Sequence, residues 1–415
     1  MRDLVKTVEA QFDALAAKLD GPIGVAVSGG SDSLALLYLA ADWARARQRT
    51  LLGLTVDHGL RPAAKAEAEK VGEHCARLGL AHQILSWTPP DGAIGQARAR
   101  RARHQLLAEA LRVAGGTLLL MGHTLDDQCE TIAMRAARTG AGEGVAGIRP
   151  LAVSPVWPEG RRIFIGRPLL EVNRAGLREM LTARALDWTE DPSNRDRTFE
   201  RVRVRQDLSA TELSALQKQA IIAGAERKKE DGVLADWLRA RSVAGADGLI
   251  RLEVDELPPM PVLAEGLAWV LMAAAGSDRR ADLAGRIALA EDIIAAPRKF
   301  RARTLGGAWI APRRGEIHIA RDPGGVTAAS QAARPGMIWD GRFYLKSEEN
   351  GEDGSNLASN LHSGAKECAT ETPLSPMARA TYPAVRGAGI TVCALADARL
   401  EDIEFMLSYE NLMLE

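Results

Sequence analysis

The sequence predicts an α/β protein: a parallel sheet with helices on both faces, followed by a mainly helical domain and a small β-rich C-terminal region. Three observations carry that expectation. Through the first half, short apolar runs alternate with segments whose apolar residues recur at helical spacing, the pattern of a strand–helix repeat. Three of those runs close in the polar motifs SGGSDS, DHGLR and GHTLDD, and sheets of this kind gather their ligands at the carboxyl ends of strands. Past residue 208 the alternation stops and long helical stretches take over.

Taken in order, residues 23–27 are a short apolar strand ending in the Gly/Ser turn, and residues 34–47 follow with helical spacing. Residues 51–56 form a second buried strand closed by Asp57-His58-Gly59. A helix over 63–78, a strand over 81–85 and a helix over 94–113 come next. Residues 117–121 are the fourth strand, closed by Gly122-His123, and a helix runs from 125 to about 138. These elements make a first domain of residues 1–207. A second domain, 208–321, holds helices over 210–241, 262–275 and 280–296, then a hairpin around Arg313-Arg314-Gly315. The third region, 322–415, opens on a hairpin signal at 338–343. Residues 347–375 are rich in Ser, Asn, Gly and Glu and read as a flexible loop. Residues 378–400 supply one or two further strands.

Composition narrows the function. The formal net charge is −1, so any RNA contact must come from local clusters of arginine. The four cysteines, Cys75, Cys129, Cys368 and Cys393, form no CxxC pair. That argues against a zinc ribbon, a cysteine-held cluster or a redox dithiol, and suits a reducing compartment. The first residues read as an amphipathic helix with acids in it, not as a signal peptide. The longest apolar run, 267–275, falls well short of the ~20 residues of a membrane span. A soluble, cytoplasmic protein with no membrane partner is expected.

The motif Ser28-Gly29-Gly30-Ser31-Asp32-Ser33 is the sharpest signal. Its glycines let the chain turn tightly, and successive N–H groups with the helix start form an anion-binding concavity. It has no lysine and lacks Walker A spacing. Asp32 would repel bare phosphate, which points to a bridging Mg²⁺. The alternative is a plain turn capping the next helix. In the segment 123–131, Asp126, Asp127 and Glu130 crowd one helix end. A cation relieves such crowding, so magnesium carrying ATP phosphates fits; the alternative is an acidic first turn favoured by the dipole. Asp57 and His58, with Arg61, suit a nucleotide or a carboxylate-bearing substrate, or else a plain strand-end turn. Arg98, Arg100, Arg101 and Arg103 form one arginine cluster, and Arg195, Arg197, Arg201, Arg203 and Arg205 another. Guanidinium forks suit phosphate, though a salt-bridged surface has the same composition. Gly142–Gly147 matches GxGxxG but follows a helix rather than a strand, so it is no dinucleotide site.

The turn Ser28–Ser33 after a first strand resembles the PP-loop of N-type ATP pyrophosphatases, of the adenine nucleotide alpha hydrolase-like fold. Within that group, Asp57-His58 with Leu60-Arg61, His123 with Asp126-Asp127-Gln128 and Glu130-Thr131, Arg167–Leu170 and Glu190–Asn194 resemble the lysidine synthetase family. The likeness covers about residues 22–205. It implies that ATP adenylates C2 of the wobble cytidine of a CAU-anticodon tRNA(Ile), and that free lysine then displaces AMP. It implies ATP contacts at Ser28, Gly29, Gly30, Ser31, Asp32, Ser33, Asp57, His58 and His123. It also implies catalytic roles for Asp32, Asp126, Asp127 and Glu130, with Mg²⁺ on Asp32, Asp126 and Asp127. Arg100, Arg103, Arg201, Arg203 and Arg205 would meet tRNA, and a homodimer is left open. Two positions depart from the family pattern: His104 stands where an aromatic is usual, and Arg201-Val202 where an Arg-Asn pair is usual. Three rivals remain at this stage: a PP-loop tRNA thiolation enzyme, a non-catalytic RNA-binding protein, and adenylation of a small molecule for amidotransfer. The missing CxxC, the intact loop and the missing glutaminase half argue against them in turn.

Overall fold

The computed structural model describes residues 2–59, 63–88, 95–139, 147–190, 196–326, 338–347 and 390–409. They fall into two compact units, residues 1–154 with 163–227, and residues 155–162 with 228–415.

The first unit is built on a six-stranded sheet in the order β3-β2-β1-β4-β6-β5. Its strands are β1 (Ile23–Ala26), β2 (Leu51–Asp57), β3 (Ala81–Ser86), β4 (Leu118–Leu120), β5 (Leu151–Val153) and β6 (Phe164–Gly166). All neighbours run parallel except β5 against β6. The expected parallel sheet is therefore present, and the β5–β6 pair is an addition that strands of three residues do not announce by pattern. The register sets Val25 beside both Gly53 and Leu120, so β1 lies at the centre. The short β1 and β4 are apolar along their whole length and fully buried, as central parallel strands must be.

Helices cover the sheet. The connecting helices are α1 (Arg2–Ala16), α2 (Ser31–Arg47), α3 (Ala63–Leu78), α4 (Gln96–Val113), α5 (Leu125–Thr139), α6 (Arg174–Ala183), α7 (Glu200–Asp207) and α8 (Ala210–Arg241). Leu107, Ala108 and Leu111 of α4 pack with Ala26, Leu52, Leu54 and Leu119 of the sheet. Each fully buried leucine there contributes about 1.5–3 kcal/mol. Helix α2 is buried along almost its whole length, because it lies on β1 and also against α1 and α6. Its Trp43 is closed off by an Nε1–H bond to Asp13, which Arg47 also pairs.

The second unit combines helices with two sheets. The end of α8 buries Leu234, Ala235, Trp237 and Leu238, and α9 (Met260–Ala275) and α10 (Leu283–Ala295) pack on each other. The hairpin at Arg313-Arg314-Gly315 is present as β10 (Ala308–Arg313) and β11 (Glu316–Arg321). It is joined by β7 (Ser242–Ala244), β8 (Ile250–Glu253) and β9 (Arg303–Leu305) into a five-stranded antiparallel sheet, β7-β8-β11-β10-β9. The three added strands are three or four residues long, too short for period-two alternation to stand out. The signal at 338–343 is a hairpin of β12 (Ile338–Trp339) and β13 (Phe343–Ser347). β14 (Ile390–Ala394) completes that sheet, and a final helix, α11 (Ala396–Ser408), follows. The expected loop at 347–375 lies outside the described residues beyond Ser347. Residues 155–162 belong to this unit: the Trp157 indole donates to the Gly341 carbonyl at 2.6 Å, and Arg162 pairs with Glu401 at 3.2 Å. No described helix is long and apolar enough to cross a membrane.

Candidate active site

Parallel strands leave β1, β2, β4 and β6 on one rim, and the strand order reverses between β1 and β4. A crevice opens at such a point. The chain leaving β1 turns at Gly29, whose φ of +84° suits only glycine cheaply. The Thr189 N–H closes the turn on the Gly29 carbonyl at 2.9 Å. The serines bond within the loop: Ser33 Oγ accepts the Ser28 N–H and donates to the Gly30 carbonyl, each at 3.1 Å. The N-cap of α2 is Gly30, and no side chain caps that helix. The loop serines and Asp32 are therefore not spent on a side-chain cap of α2. Across the crevice, a Cβ placed on Gly122 would lie 3.0 Å from the Asp32 carbonyl carbon and oxygen and 3.1 Å from Ser33 Cα. The exit of β4 thus rests directly on the loop backbone.

Helix α5 brings the three acids to the same place. Asp127 Oδ2 accepts the Thr124 N–H at 2.7 Å and its hydroxyl at 3.0 Å, so the carboxylate caps the residue before the helix start. Its other oxygen takes Arg201 at 2.8 Å and Arg174 at 3.3 Å. Burial opposes the Asp127 charge, yet Arg201, Arg174 and the Thr124 N–H hold its pKa below the usual value. Glu130, with a side chain only 3% exposed, accepts from Arg201 and from Arg205, each at 2.6 Å. Asp126 accepts the main-chain N–H of Arg174 at 2.8 Å. Arg174 Nε reaches Asp32 Oδ2 at 2.8 Å. One guanidinium therefore joins the Gly/Ser loop to the acidic helix, and Asp32 faces the carboxylates of α5.

The arginines expected to meet tRNA divide into two groups. Arg201 and Arg205 stand four apart on α7, so they share a face, and that face is spent on Glu130 and Asp127. Arg203 donates to the carbonyls of Arg197 and Thr198 at the start of α7. Arg201 and Arg205 are therefore not free surface cations, whereas Arg203 is exposed and its partners are neutral carbonyls, so its charge stays unpaired by any carboxylate among the described residues. Arg100 is exposed and Arg103 half-buried on α4. Arg100 keeps surface open to water, yet the protein atoms around it desolvate the guanidinium enough to lower its pKa, as burial does for Arg103, and each also feels a like charge, Arg201 on Arg100 and Arg100 on Arg103.

Three imidazoles line the same rim. Burial holds His123 down to about 3, and Arg167 reinforces it against Asp127. His104 is also pushed down to about 3, by burial first and then by Arg100, Arg103 and Arg167. His58 is lowered by burial and Arg103, and it meets the Trp87 ring edge-on at 6.0 Å. The Nδ1 atoms of all three are buried without a partner. Burial likewise pulls Arg167 down to about 10, with Arg100 adding to it. Arg100, Arg103 and Arg167 beside imidazoles held neutral suit an anionic ligand. Asp57 is committed locally, accepting the Gly59 N–H at 2.9 Å. Leu60 and Arg61 lie outside the described residues, as do Asp191–Asn194 and, except for Gly147, the GxGxxG segment.

A PP-loop domain family model matches residues 4–212. A tRNA(Ile)-lysidine synthase of Hyphomonas neptunium is 43% identical over 339 residues, 80% of this chain and 90% of that protein. The chain belongs to the tRNA(Ile)-lysidine synthase family. The member from Mesorhizobium japonicum is 37% identical over 77% of this chain and 71% of its own length. Among solved structures, the tRNA thiolase NcsA of Methanococcus maripaludis aligns with a TM-score of 0.43 and 16% identity, over 54% of this chain and 78% of that one. The thiol inside α5 does not suit sulfur chemistry: Cys129 is fully buried, and burial pushes its thiol up to about 11.

For a member of this lysidine synthase family, the residue that sequence reasoning missed is Arg174. A signal was present. It follows Asn173, whose side chain accepts the Gly176 N–H and caps α6. A cation at the first position of a helix opposes the macrodipole, and such a local violation marks a site with another purpose.

Proposed function

We propose that this chain, in the cytoplasm, ligates free lysine to C2 of the wobble cytidine of a CAU-anticodon tRNA(Ile), through an adenylated cytidine, releasing AMP and pyrophosphate. The observation that carries the reading is the convergence of Asp32 and the α5 carboxylates on Arg174 at the switch point of the sheet. Ser28–Ser33 would hold the leaving pyrophosphate by N–H and hydroxyl donors, where charge develops. The cytosine oxygen is a weak nucleophile, so much of the rate must come from positioning. The base must also leave its stack, which a single-stranded anticodon loop permits.

Mg²⁺ usually takes one or two carboxylates and completes its shell with phosphate and water. Asp32 and Asp126 fit that pattern, since each keeps an oxygen clear of Arg174. Both Asp127 oxygens are already engaged, and Asp32 gives its second oxygen to the Ser31 hydroxyl, so Asp126 has the freest oxygen of the three. The bound ion would neutralise phosphate charge. Arg100, Arg103 and the exposed Arg203 remain for the anticodon backbone, while Arg201 and Arg205 serve by holding Glu130 and Asp127.

The deciding experiment mixes the protein with labelled lysine, ATP and CAU-anticodon tRNA(Ile). Label should enter the tRNA as AMP appears, and absence of both would overturn the reading. Two variants sharpen it. Arg100→Ala should weaken tRNA binding by about 1–2 kcal/mol and flatten its salt dependence by roughly one contact; filter binding at two salt concentrations reads this. Gly122→Ala should slow AMP formation by about tenfold or more, because the added methyl displaces the Asp32 backbone by tenths of an ångström. Equal single-turnover rates in Gly122→Ala and wild type would remove the link between β4 and the loop.

A further inference from the structure

Arg174 holds the oxygens that a metal ion would need. Its Nε lies 2.8 Å from Asp32 Oδ2, its Nη2 3.3 Å from Asp127 Oδ1 and its Nη1 3.8 Å from Glu130 Oε1. Its own N–H donates to Asp126 Oδ2 at 2.8 Å. The side chain is only 15% exposed, so it is built into the site rather than lying over it. Asp32, Asp126, Asp127 and Glu130 are thus gathered around one residue, and Arg201 and Arg205 complete the charge balance on Asp127 and Glu130. Among the described residues, no group of three ligating side chains is arranged to hold a metal.

We propose that Arg174 is a positioning residue that competes with divalent cations for the site carboxylates, so that a metal enters only together with a polyphosphate. The inference rests on the ATP-site reading given above. A magnesium ion needs carboxylate oxygens at about 2.0–2.1 Å in a regular octahedron. A guanidinium already bonded to Asp32 and Asp127 blocks that approach from the crevice and cancels the field that would attract a free ion. A nucleotide changes the balance twice. Its phosphates complete the metal shell, and they offer the displaced guanidinium a bidentate anionic partner as strong as the one it leaves. The placement of Arg174 at the first turn of α6, against the helix dipole, removes any local reason for it to stay once the carboxylates are taken. Free metal and free nucleotide are then each poor ligands, and the loop is not locked by an ion that arrives alone.

The test is Mn²⁺ binding to the full chain without nucleotide, followed by the loss of the free-ion resonance. Wild type should bind weakly. Arg174→Met should bind at least about tenfold more tightly, a modest gain for removing a unit charge about 4 Å from the ion's ligands. Adding Asp32→Asn to that variant should cancel the gain. Arg174→Lys, which keeps one charge but cannot bridge, should gain less. If Arg174→Met does not fold, as read by circular dichroism, the lysine variant decides. No gain in a folded variant, or a gain that survives Asp32→Asn, overturns the proposal. The assay contains no tRNA, lysine or ATP, so its failure leaves the lysine reaction untouched. Failure of lysine incorporation would equally leave the Mn²⁺ result standing.

Discussion

Asp32→Ala is expected to reduce AMP formation on the order of 10³-fold or more while leaving the protein folded. The two halves of that expectation come from different features. The carboxylate sits in the first turn of α2 with its side chain 20% exposed, so its removal leaves no cavity in the core. The dipole benefit of an acid there is about 0.3–1 kcal/mol, and that is the stability expected to be lost. Arg174 keeps Asp127 and Glu130 after the change, so no buried guanidinium is stranded. Activity has no such reserve. Asp32 is the acid carried by the loop itself, and the nearest others stand across the crevice on α5. A replacement carboxylate would have to move with a helix whose start is pinned by the Thr124–Asp127 cap. Single-turnover AMP release with a urea unfolding curve measures both effects. An Asp32→Ala enzyme within tenfold of wild type would show that the loop does not face the reacting phosphate.

Much of this site was legible in sequence because its parts are local. SGGSDS announces a strand, a turn and a helix start within a few residues, and the acids of α5 share a helix turn. Parallel topology then places both on one rim, since consecutive strand–helix units leave every strand end on the same side. What was not legible is which charges meet. Arg201 and Arg205 read as surface cations because their partner, Glu130, lies some seventy positions earlier, and no periodicity links distant segments. Arg174 was hidden for the same reason: its partner Asp32 is 142 residues away. The short strands β5, β6, β7 and β9 escaped because three residues cannot show alternation. Local chemistry thus identified the acids, while the arginines that hold them depended on the fold.

Glu130→Gln is expected to cost about as much as Glu130→Ala, on the order of 2–3 kcal/mol of stability, together with at least about 100-fold in rate. Ordinarily glutamine is the gentler change, since it keeps shape and volume. Here both oxygens are acceptors: Oε1 takes the Arg205 Nε–H at 2.6 Å, and Oε2 takes the Arg201 Nε–H at 2.6 Å and Arg205 Nη2 at 3.2 Å. An amide turns one acceptor into a donor, so either orientation sets N–H against N–H in a pocket where the side chain is 3% exposed. The full cost of breaking a buried pair, about 3–5 kcal/mol, is not expected. Arg201 and Arg205 are 37% and 32% exposed and can turn partly toward water. Catalysis suffers separately, because Glu130 ties α7 to α5 and its loss frees Arg201 to pull on Asp127. Pairing Glu130→Met with Arg205→Met should recover about half of the stability, since it removes the acid with one of its two close guanidiniums and leaves Arg201 its bond to Asp127, but not the rate. Urea midpoints and single-turnover rates on the four proteins measure each part. A Glu130→Gln enzyme within about 0.5 kcal/mol of wild type would mean that the arginines hold Glu130 by proximity alone, and that α5 and α7 are joined by their apolar contacts.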